Sequence, residues 1–323
     1  MAPLTDVYES RAARDAAIIM RQDPVLYTSK EEPKQSGLSS ENLESYKRDG
    51  FFFLEGFFSR RETDLLLQEV QRMAKDPEIA KREEAIKEPG KRIVRSIFMV
   101  HHLSQLLSRL AADMRLVNIA RQILGSEVYI HQSRANLKPG FHGKEFYWHS
   151  DFETWHIEDG MPSMRAVSCS ILLTDNNEQN GPLLLIPGSH MHFISCVGQT
   201  PDDHYKKSLR KQEYGVPDPD SLRFLAERGG GIRSMTGPAG SVVFFDSNTM
   251  HGSNSNITPQ PRSNLFMVYN SIENTLTNPS YGLQPRPEFV ANRTDYSPIK
   301  PVEPSYLRAV KGGDSTTKVA ATV

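Results

Sequence analysis

His149 and Asp151 are separated by one residue, His251 follows about a hundred residues later, and Arg262 lies eleven positions past it. Two imidazoles and one carboxylate on a single ion form the facial triad of a non-haem Fe(II) oxygenase, which leaves three coordination positions for oxygen and a co-substrate. The arginine constrains the fold further. Its fixed distance past the second histidine suits a strand that runs back alongside the metal, where a planar guanidinium can grip a carboxylate through two parallel hydrogen bonds. Ferrous iron beside such a clamp points to 2-oxoglutarate as the co-substrate.

Histidine, any residue, then an acid is a weak pattern in a chain with 10 His and 39 acidic residues. About one match is expected by chance, and two occur, His149-Ser-Asp151 and His156-Ile-Glu158. Their contexts differ. Phe146, Tyr147 and Trp148 lead into the first as a β-favouring run, so His149 and Asp151 are expected at a strand end with both side chains on one face. The second runs into a turn sequence from Glu158 to Pro162, and His156 reads as a surface residue or a support behind the site rather than a ligand. For the distal histidine, residues 236–240 are a turn, Ser241 to Asp246 a short strand, and Asn248 to Gly252 a second turn that presents His251 at a strand edge. Pro261-Arg262 then opens the run Leu265 to Tyr269, which predicts two adjacent antiparallel strands carrying His251 and Arg262. Taken alone, His251 reads equally well as an exposed loop histidine, and it is the first motif that gives it a role.

From Glu127 onward short β-like runs alternate with turns: Arg165 to Thr174, Leu183 to Pro187, Ser241 to Asp246 and Leu265 to Ile272. This predicts a mainly β fold, a double-stranded β-helix or jelly roll of eight strands in two sheets, with flanking α-helices. The helices precede it. Ser40 can cap a helix to Arg48, Phe51 to Phe58 reads as a strand, and Ser59 with Glu62 forms a capping box before a helix with Leu66, Val70 and Met73 on one side. A second helical region, Leu103 to Leu124, ends at Gly125. Residues 1–38 are expected as an N-terminal extension with a short helix over Val7 to Met20, residues 39–311 as the catalytic domain, and 312–323 as a disordered tail. The charged run Lys75 to Arg92 reads as a solvated segment, and the stretch 198–233 as a lid or surface insertion.

The stretch from Phe146 to Ala166, with Asn180-Gly-Pro182, Pro187-Gly-Ser-His190 and Asn248 to Asn264, resembles the ectoine hydroxylases, a family within the phytanoyl-CoA dioxygenase superfamily. The resemblance runs over roughly residues 40 to 300, and its 21-residue segment is far more specific than a triad pattern. It implies iron ligation by His149, Asp151 and His251, and 2-oxoglutarate held by Arg262 and Lys138, with Phe146 and Ser253 in the co-substrate pocket. On the substrate side it implies Gln132, Trp155 and Arg286. The implied reaction is hydroxylation of ectoine to 5-hydroxyectoine, a compatible solute, with release of succinate and carbon dioxide. Retention of Asp151 favours hydroxylation over halogenation, because a halogenating relative would lack the carboxylate so that halide could take its position.

Support from the residues themselves is uneven. In Glu127 to Lys138, alternation places Val128, Ile130, Gln132, Arg134, Asn136 and Lys138 on one face, which turns from apolar to polar along its length. Such a face lines a polar cavity or, equally well, faces water at a sheet edge. Gln132 and Lys138 lie roughly 20 Å apart on a straight strand, so either the strand bends or they serve different ends of the cavity. The two tryptophans, Trp148 and Trp155, both lie within four residues of Asp151. An aromatic face suits ectoine's delocalised cation, although a packing role is the commoner one for a tryptophan.

Composition bounds the rest. With 38 basic against 39 acidic residues, nothing recommends a nucleic-acid or anionic-membrane partner. Only Cys169 and Cys196 occur, without metal-site spacing or the density of a disulfide scaffold, so reducing cytoplasm is the expected setting. No membrane span or signal core is evident, and a homodimer stays open as the assembly. Two alternatives stand beside the main reading: the same chemistry on another small polar substrate, and a jelly-roll metal- or solute-binding protein without oxygenase activity. Arg262 argues against the second, since a bare metal site has no use for a carboxylate clamp.

Overall fold

The computed structural model describes residues 6–11, 15–27, 38–88, 93–201, 205 and 214–309. The expected tail from Gly312 lies outside them. The helix expected over Val7 to Met20 gives way, among the described residues, to a turn at 7–8 and a strand, β1 (Ala17–Met20). Arg11 takes a left-handed φ of 62°, which a helix does not accommodate.

Helix signals organise the next hundred residues. Ser39 caps α1 (Ser40–Asp49), and Gly50 closes it at φ 85°. The following strand, β2 (Phe51–Leu54), is shorter than the run to Phe58 predicted. The expected capping box of Ser59 and Glu62 opens α2 (Arg60–Lys75), which buries Leu66, Val70 and Met73. The charged stretch beyond it forms α3 (Pro77–Lys81) and β3 (Ala85–Lys87), and its residues 89–92 lie outside the described ones. After β4 (Val94–Phe98), the helical region expected as one piece is three: α4 (Val100–Leu103), α5 (Gln105–Ala111) and α6 (Met114–Leu124). Ser104 and Asp113 break it because each side chain caps the helix that follows.

The β-rich remainder comprises β5 (Val128–Lys138), β6 (Phe146–His149), α7 (Asp151–Asp159), β7 (Ala166–Leu172), β8 (Leu183–Leu185) and β9 (His192–Ser195). The stretch 198–233 holds α8 (Pro219–Arg228) and leads into β10 (Arg233–Met235), followed by β11 (Val242–Asp246), β12 (His251–Ser253), β13 (Arg262–Ser271) and α9 (Tyr306–Ala309). A seven-stranded sheet has the order β2-β11-β7-β13-β5-β4-β3, a four-stranded sheet the order β10-β8-β12-β6, and β1 pairs with β9. The registered pairs within them are antiparallel.

The period of two sorts the large sheet's side chains. On β11, Val242 and Phe244 pack with the helices, while Val243 and Phe245 face the small sheet. On β13, Leu265, Met267 and Tyr269 join the helical layer, and Phe266 packs against Leu183, Leu185 and Met235 between the sheets. Phe266 and Leu183 of this apolar cluster also line the cavity between the sheets.

On β5 the expected alternation fails in one place. The pairing with β13 slips between Val268 and Tyr269, so that Gln132 faces Val268, Ile130 faces Tyr269, and His131 is extra. Parity reverses there. Val128 and Ile130 pack in the helical layer with Ala135, whereas Gln132, Arg134 and Asn136 line the cavity. The six residues predicted for one face thus divide between two.

Candidate active site

His251 is the register partner of His149 across β12 and β6, and their rings lie 4.2 Å apart between centroids. Long-range pairing brings together the two histidines that the sequence separates. β12 is also bonded to β8, so His251 opens an interior strand. Asp151 does not share a strand with His149 as expected. Ser150 caps α7, its hydroxyl accepting from the Glu153 amide, and Asp151 is the first helical residue. The capping residue ends the strand at His149 and turns the carboxylate back, while the helix N-terminus favours its negative charge.

Imidazole Nδ1 of His149 meets the Tyr147 carbonyl at 2.8 Å, and that of His251 meets the Thr249 carbonyl at 3.0 Å. Each carbonyl accepts a hydrogen bond from Nδ1–H, which leaves the lone pair on Nε2. Both Nε2 atoms lie 3.8 Å from Asp151, one from each carboxylate oxygen, and the three donor atoms fall within 4.8 Å of one another. Nε2 of His251 is buried without a hydrogen-bond partner. Burial lowers the pKa of both rings, to about 3 for His149, where the neighbouring His251 adds to the effect. Neutral imidazoles with orphaned lone pairs facing a carboxylate fit a divalent metal ion.

A cavity opens beside this triad, lined by residues of both sheets. Arg262 lies at its wall, 2% exposed. Contrary to expectation, β12 and β13 are not neighbours but belong to opposite sheets, so Arg262 reaches the site across the sandwich. Its cross-strand partner on β5 is Lys138. Like charges placed opposite one another are unfavourable, and both are buried. Nη2 of Arg262 donates to the Gly181 carbonyl, but Nε and Nη1 are buried with no partner. Lys138 donates to Ser253 Oγ at 2.8 Å and to the Asn254 carbonyl. Burial, with Arg262 and Arg95 nearby, pulls the Lys138 ammonium down to about 6, and burial beside Arg95 and Arg134 pulls Arg262 to about 9. Gly181 permits this packing: at φ 76°, an added Cβ would stand 2.3 Å from the Asn254 carbonyl oxygen.

A second lobe shares Phe98, Arg134, Phe146 and His149 with the first, and adds Asp151, Gln132, Trp155, Arg286 and Val290. Of Gln132 and Lys138, only Gln132 lines this lobe, while Lys138 lies buried opposite Arg262. The Gln132 amide donates to the Val290 carbonyl at 2.7 Å. Trp155, one turn of α7 beyond Asp151, is 3% exposed and packs edge-on to His131, with centroids 4.8 Å apart. Arg286 is committed to Asp159 through Nε and Nη2 at 2.8 and 2.5 Å. Trp148 packs instead with Ile186 and Met250, away from the lobe. His156 binds the Met161 carbonyl and Asp6, outside the triad.

The sequence reading passed over Arg134, Arg95 and Asn264. Arg134 lay on the polar face already noted, and its guanidinium sits 4.8 Å over Phe266 at the junction of the lobes. Asn264 presents a buried amide without a partner. Arg95, over the Phe146 ring at 5.5 Å, had no local signal.

A sequence model described as phytanoyl-CoA dioxygenase matches residues 46–264. An ectoine dioxygenase from Bordetella bronchiseptica is 67% identical over 303 residues, covering 94% of this chain and 97% of that one. Among solved structures, EctD from S. alaskensis with 2-oxoglutarate and 5-hydroxyectoine superposes with a TM-score of 0.83 at 45% identity, over 92% of this chain and 98% of its own. The same enzyme with bound Fe gives a TM-score of 0.82 at 44% identity, with the same coverage.

Proposed function

The chain belongs to the phytanoyl-CoA dioxygenase family, and we infer from that membership and the chemistry of its cavity that it is an Fe(II)- and 2-oxoglutarate-dependent oxygenase that hydroxylates ectoine to 5-hydroxyectoine. The observation that carries this reading is Arg262, buried with two unpartnered guanidinium nitrogens on the wall of the cavity that the triad histidines also line, with Lys138 buried opposite it on β5. Burial disfavours the charged form of both side chains, and an anion bound beside them offsets that cost.

Bound iron, held by His149, Asp151 and His251, supplies oxygen activation coupled to decarboxylation of 2-oxoglutarate to succinate and carbon dioxide, and one oxygen atom enters a substrate C–H bond. The protein's part is binding and orientation. Arg262 binds the distal carboxylate of 2-oxoglutarate through the guanidinium N–H groups that its contact with Gly181 leaves free, Lys138 and Ser253 complete that end, and Phe146 closes the wall. Ectoine occupies the second lobe. Trp155 offers an aromatic face to its amidinium. Gln132, with its amide N–H held by Val290, has its carbonyl left to accept from the ring, and Arg134 and Arg286 balance the carboxylate. Asp151 fills the position that a halide would need, so hydroxyl transfer is the outcome. Both cysteines are buried free thiols, suited to reducing cytoplasm.

The test is anaerobic mixing of the protein with Fe(II), 2-oxoglutarate and ectoine, followed by oxygen and mass analysis. One 5-hydroxyectoine per succinate is expected, and none from His251→Ala. Succinate formation that ectoine fails to stimulate would overturn the substrate assignment.

A further inference from the structure

Two arginines from the segment before α1 reach the metal-binding elements from behind, and the mechanism above uses neither. Arg11 is buried against α7. Its Nε and Nη2 donate to the two oxygens of Glu153 at 2.9 and 2.6 Å, and its Nη1 donates to Glu158 at 2.5 Å. Ser10 adds a hydroxyl donor to Glu153 at 2.7 Å. The helix held in this way is the one that begins at Asp151 and carries Trp155.

Arg21 acts on the other half of the site. It pairs with Asp246 at 2.9 Å, at the end of β11, with both side chains almost fully buried. Asp246 accepts from the Asn248 amide through Oδ1 at 2.8 Å, and its carbonyl accepts from the Thr249 amide at 2.9 Å. The Thr249 carbonyl in turn holds Nδ1 of His251. A continuous series of bonds thus runs from Arg21 to a metal ligand. The two halves are tied by Ser150, which donates to Asn248 Oδ1 at 2.9 Å, and by the Phe152 amide, which donates to the Ser247 carbonyl at 2.8 Å.

We propose that Arg11 and Arg21 are positioning residues for the metal site, Arg11 fixing the helix that presents Asp151 and Arg21 fixing the turn that presents His251. The inference rests on the iron reading above. Buried ion pairs often add little net stability over apolar residues of the same shape, so stability alone does not account for these two. Here both stand directly behind metal ligands, where supporting hydrogen bonds set ligand orientation. Arg11 also holds a left-handed backbone, a conformation kept where surrounding contacts demand it.

The measurement is Mn(II) affinity of the metal-free full chain, followed by electron paramagnetic resonance, together with melting temperature and the ratio of succinate to 5-hydroxyectoine. Arg21→Met combined with Asp246→Asn strands no charge and keeps the acceptor for Asn248. It should bind Mn(II) about 10- to 100-fold more weakly and form excess succinate. Arg11→Lys, which keeps the charge but loses the fork, should show the same effects to a smaller degree. Val70→Ala, in the remote helical core, should lower the melting temperature without changing Mn(II) affinity. Wild-type affinity and coupling in the folded Arg21/Asp246 variant would overturn the proposal, and if that variant does not fold, Arg11→Lys decides by the same criterion. Failure of the wild-type chain to bind Mn(II) would count against the iron reading instead.

Discussion

Cationic side chains dominate the end of the cavity away from Trp155, so its occupant is selected by charge before shape. Arg262→Ala should weaken 2-oxoglutarate binding by about 2 to 5 kcal/mol while leaving Mn(II) affinity within a few-fold of wild type. Anaerobic titration checks both, and unchanged co-substrate affinity would remove the clamp. Lys138 makes a different forecast. With its pKa pulled down to about 6, the amine is largely neutral in the free protein at pH 7.5, and an arriving dianion raises it again. Binding of 2-oxoglutarate should therefore take up a proton, seen as a calorimetric enthalpy that varies with buffer ionisation enthalpy and is lost in Lys138→Met. A buffer-independent enthalpy would mean that the lysine keeps its charge throughout. At this scale the sequence was most legible where a residue's chemistry is distinctive, as for His149, His251 and Arg262. It was least legible for Arg95, whose part depends on the Phe146 ring and the Glu145 carbonyl 50 positions away.

Asp151 and Trp155 are one turn apart on α7, so in the proposed function this helix joins metal ligation to substrate contact. Trp155→Ala should abolish coupled ectoine hydroxylation yet still bind Mn(II) and 2-oxoglutarate, and Trp155→Phe should keep part of the activity by preserving an aromatic face. Ectoine-dependent succinate formation, measured beside metal affinity, separates these effects. Wild-type efficiency in the alanine variant would exclude Trp155 from substrate binding. The element that carries Asp151 was misread because aromatic residues before it favour a strand, whereas Ser150 acts as a cap only once its hydroxyl can reach the Glu153 amide. The bulge at His131 was hidden for a related reason. Nothing in Tyr129 to Ser133 announces an extra residue, and it is pairing with β13 that exposes the slip. By contrast, the capping box at Ser59 and the left-handed Gly125 are local devices, and the chain displayed both.

Across the whole molecule, the buried imidazoles set a pH limit. Burial lowers His101 and His131 from 6.5 to about 3, and His190 and His192 move in the same direction. A depressed pKa means that the unfolded chain binds more protons between those values, so the stability conferred by a neutral ring is complete above 6.5 and declines as pH falls toward 3. The urea midpoint of the metal-free protein should change little from pH 7.5 to about 6.5 and fall steadily below that, and His101→Gln should reduce the slope. A flat profile in that lower range would show that the rings protonate without unfolding cost. The two-sheet architecture could be anticipated from the repeated short runs, but the sheet assignment of each strand could not: His251 and Arg262 are near in sequence and lie in opposite sheets, while His251 and His149 are remote and pair directly. That direct pairing governs when the protein matures. β12 is three residues long and held only by partners from earlier in the chain, so its place exists only after a loop of about a hundred residues has closed, a slow step for which the entropy of the whole intervening chain must be overcome. A half-synthesised chain has Asp151 and one histidine but no second histidine to complete the chelate. On the proposed reading metal capture therefore waits for that closure, and a chain that holds its ion has already completed it.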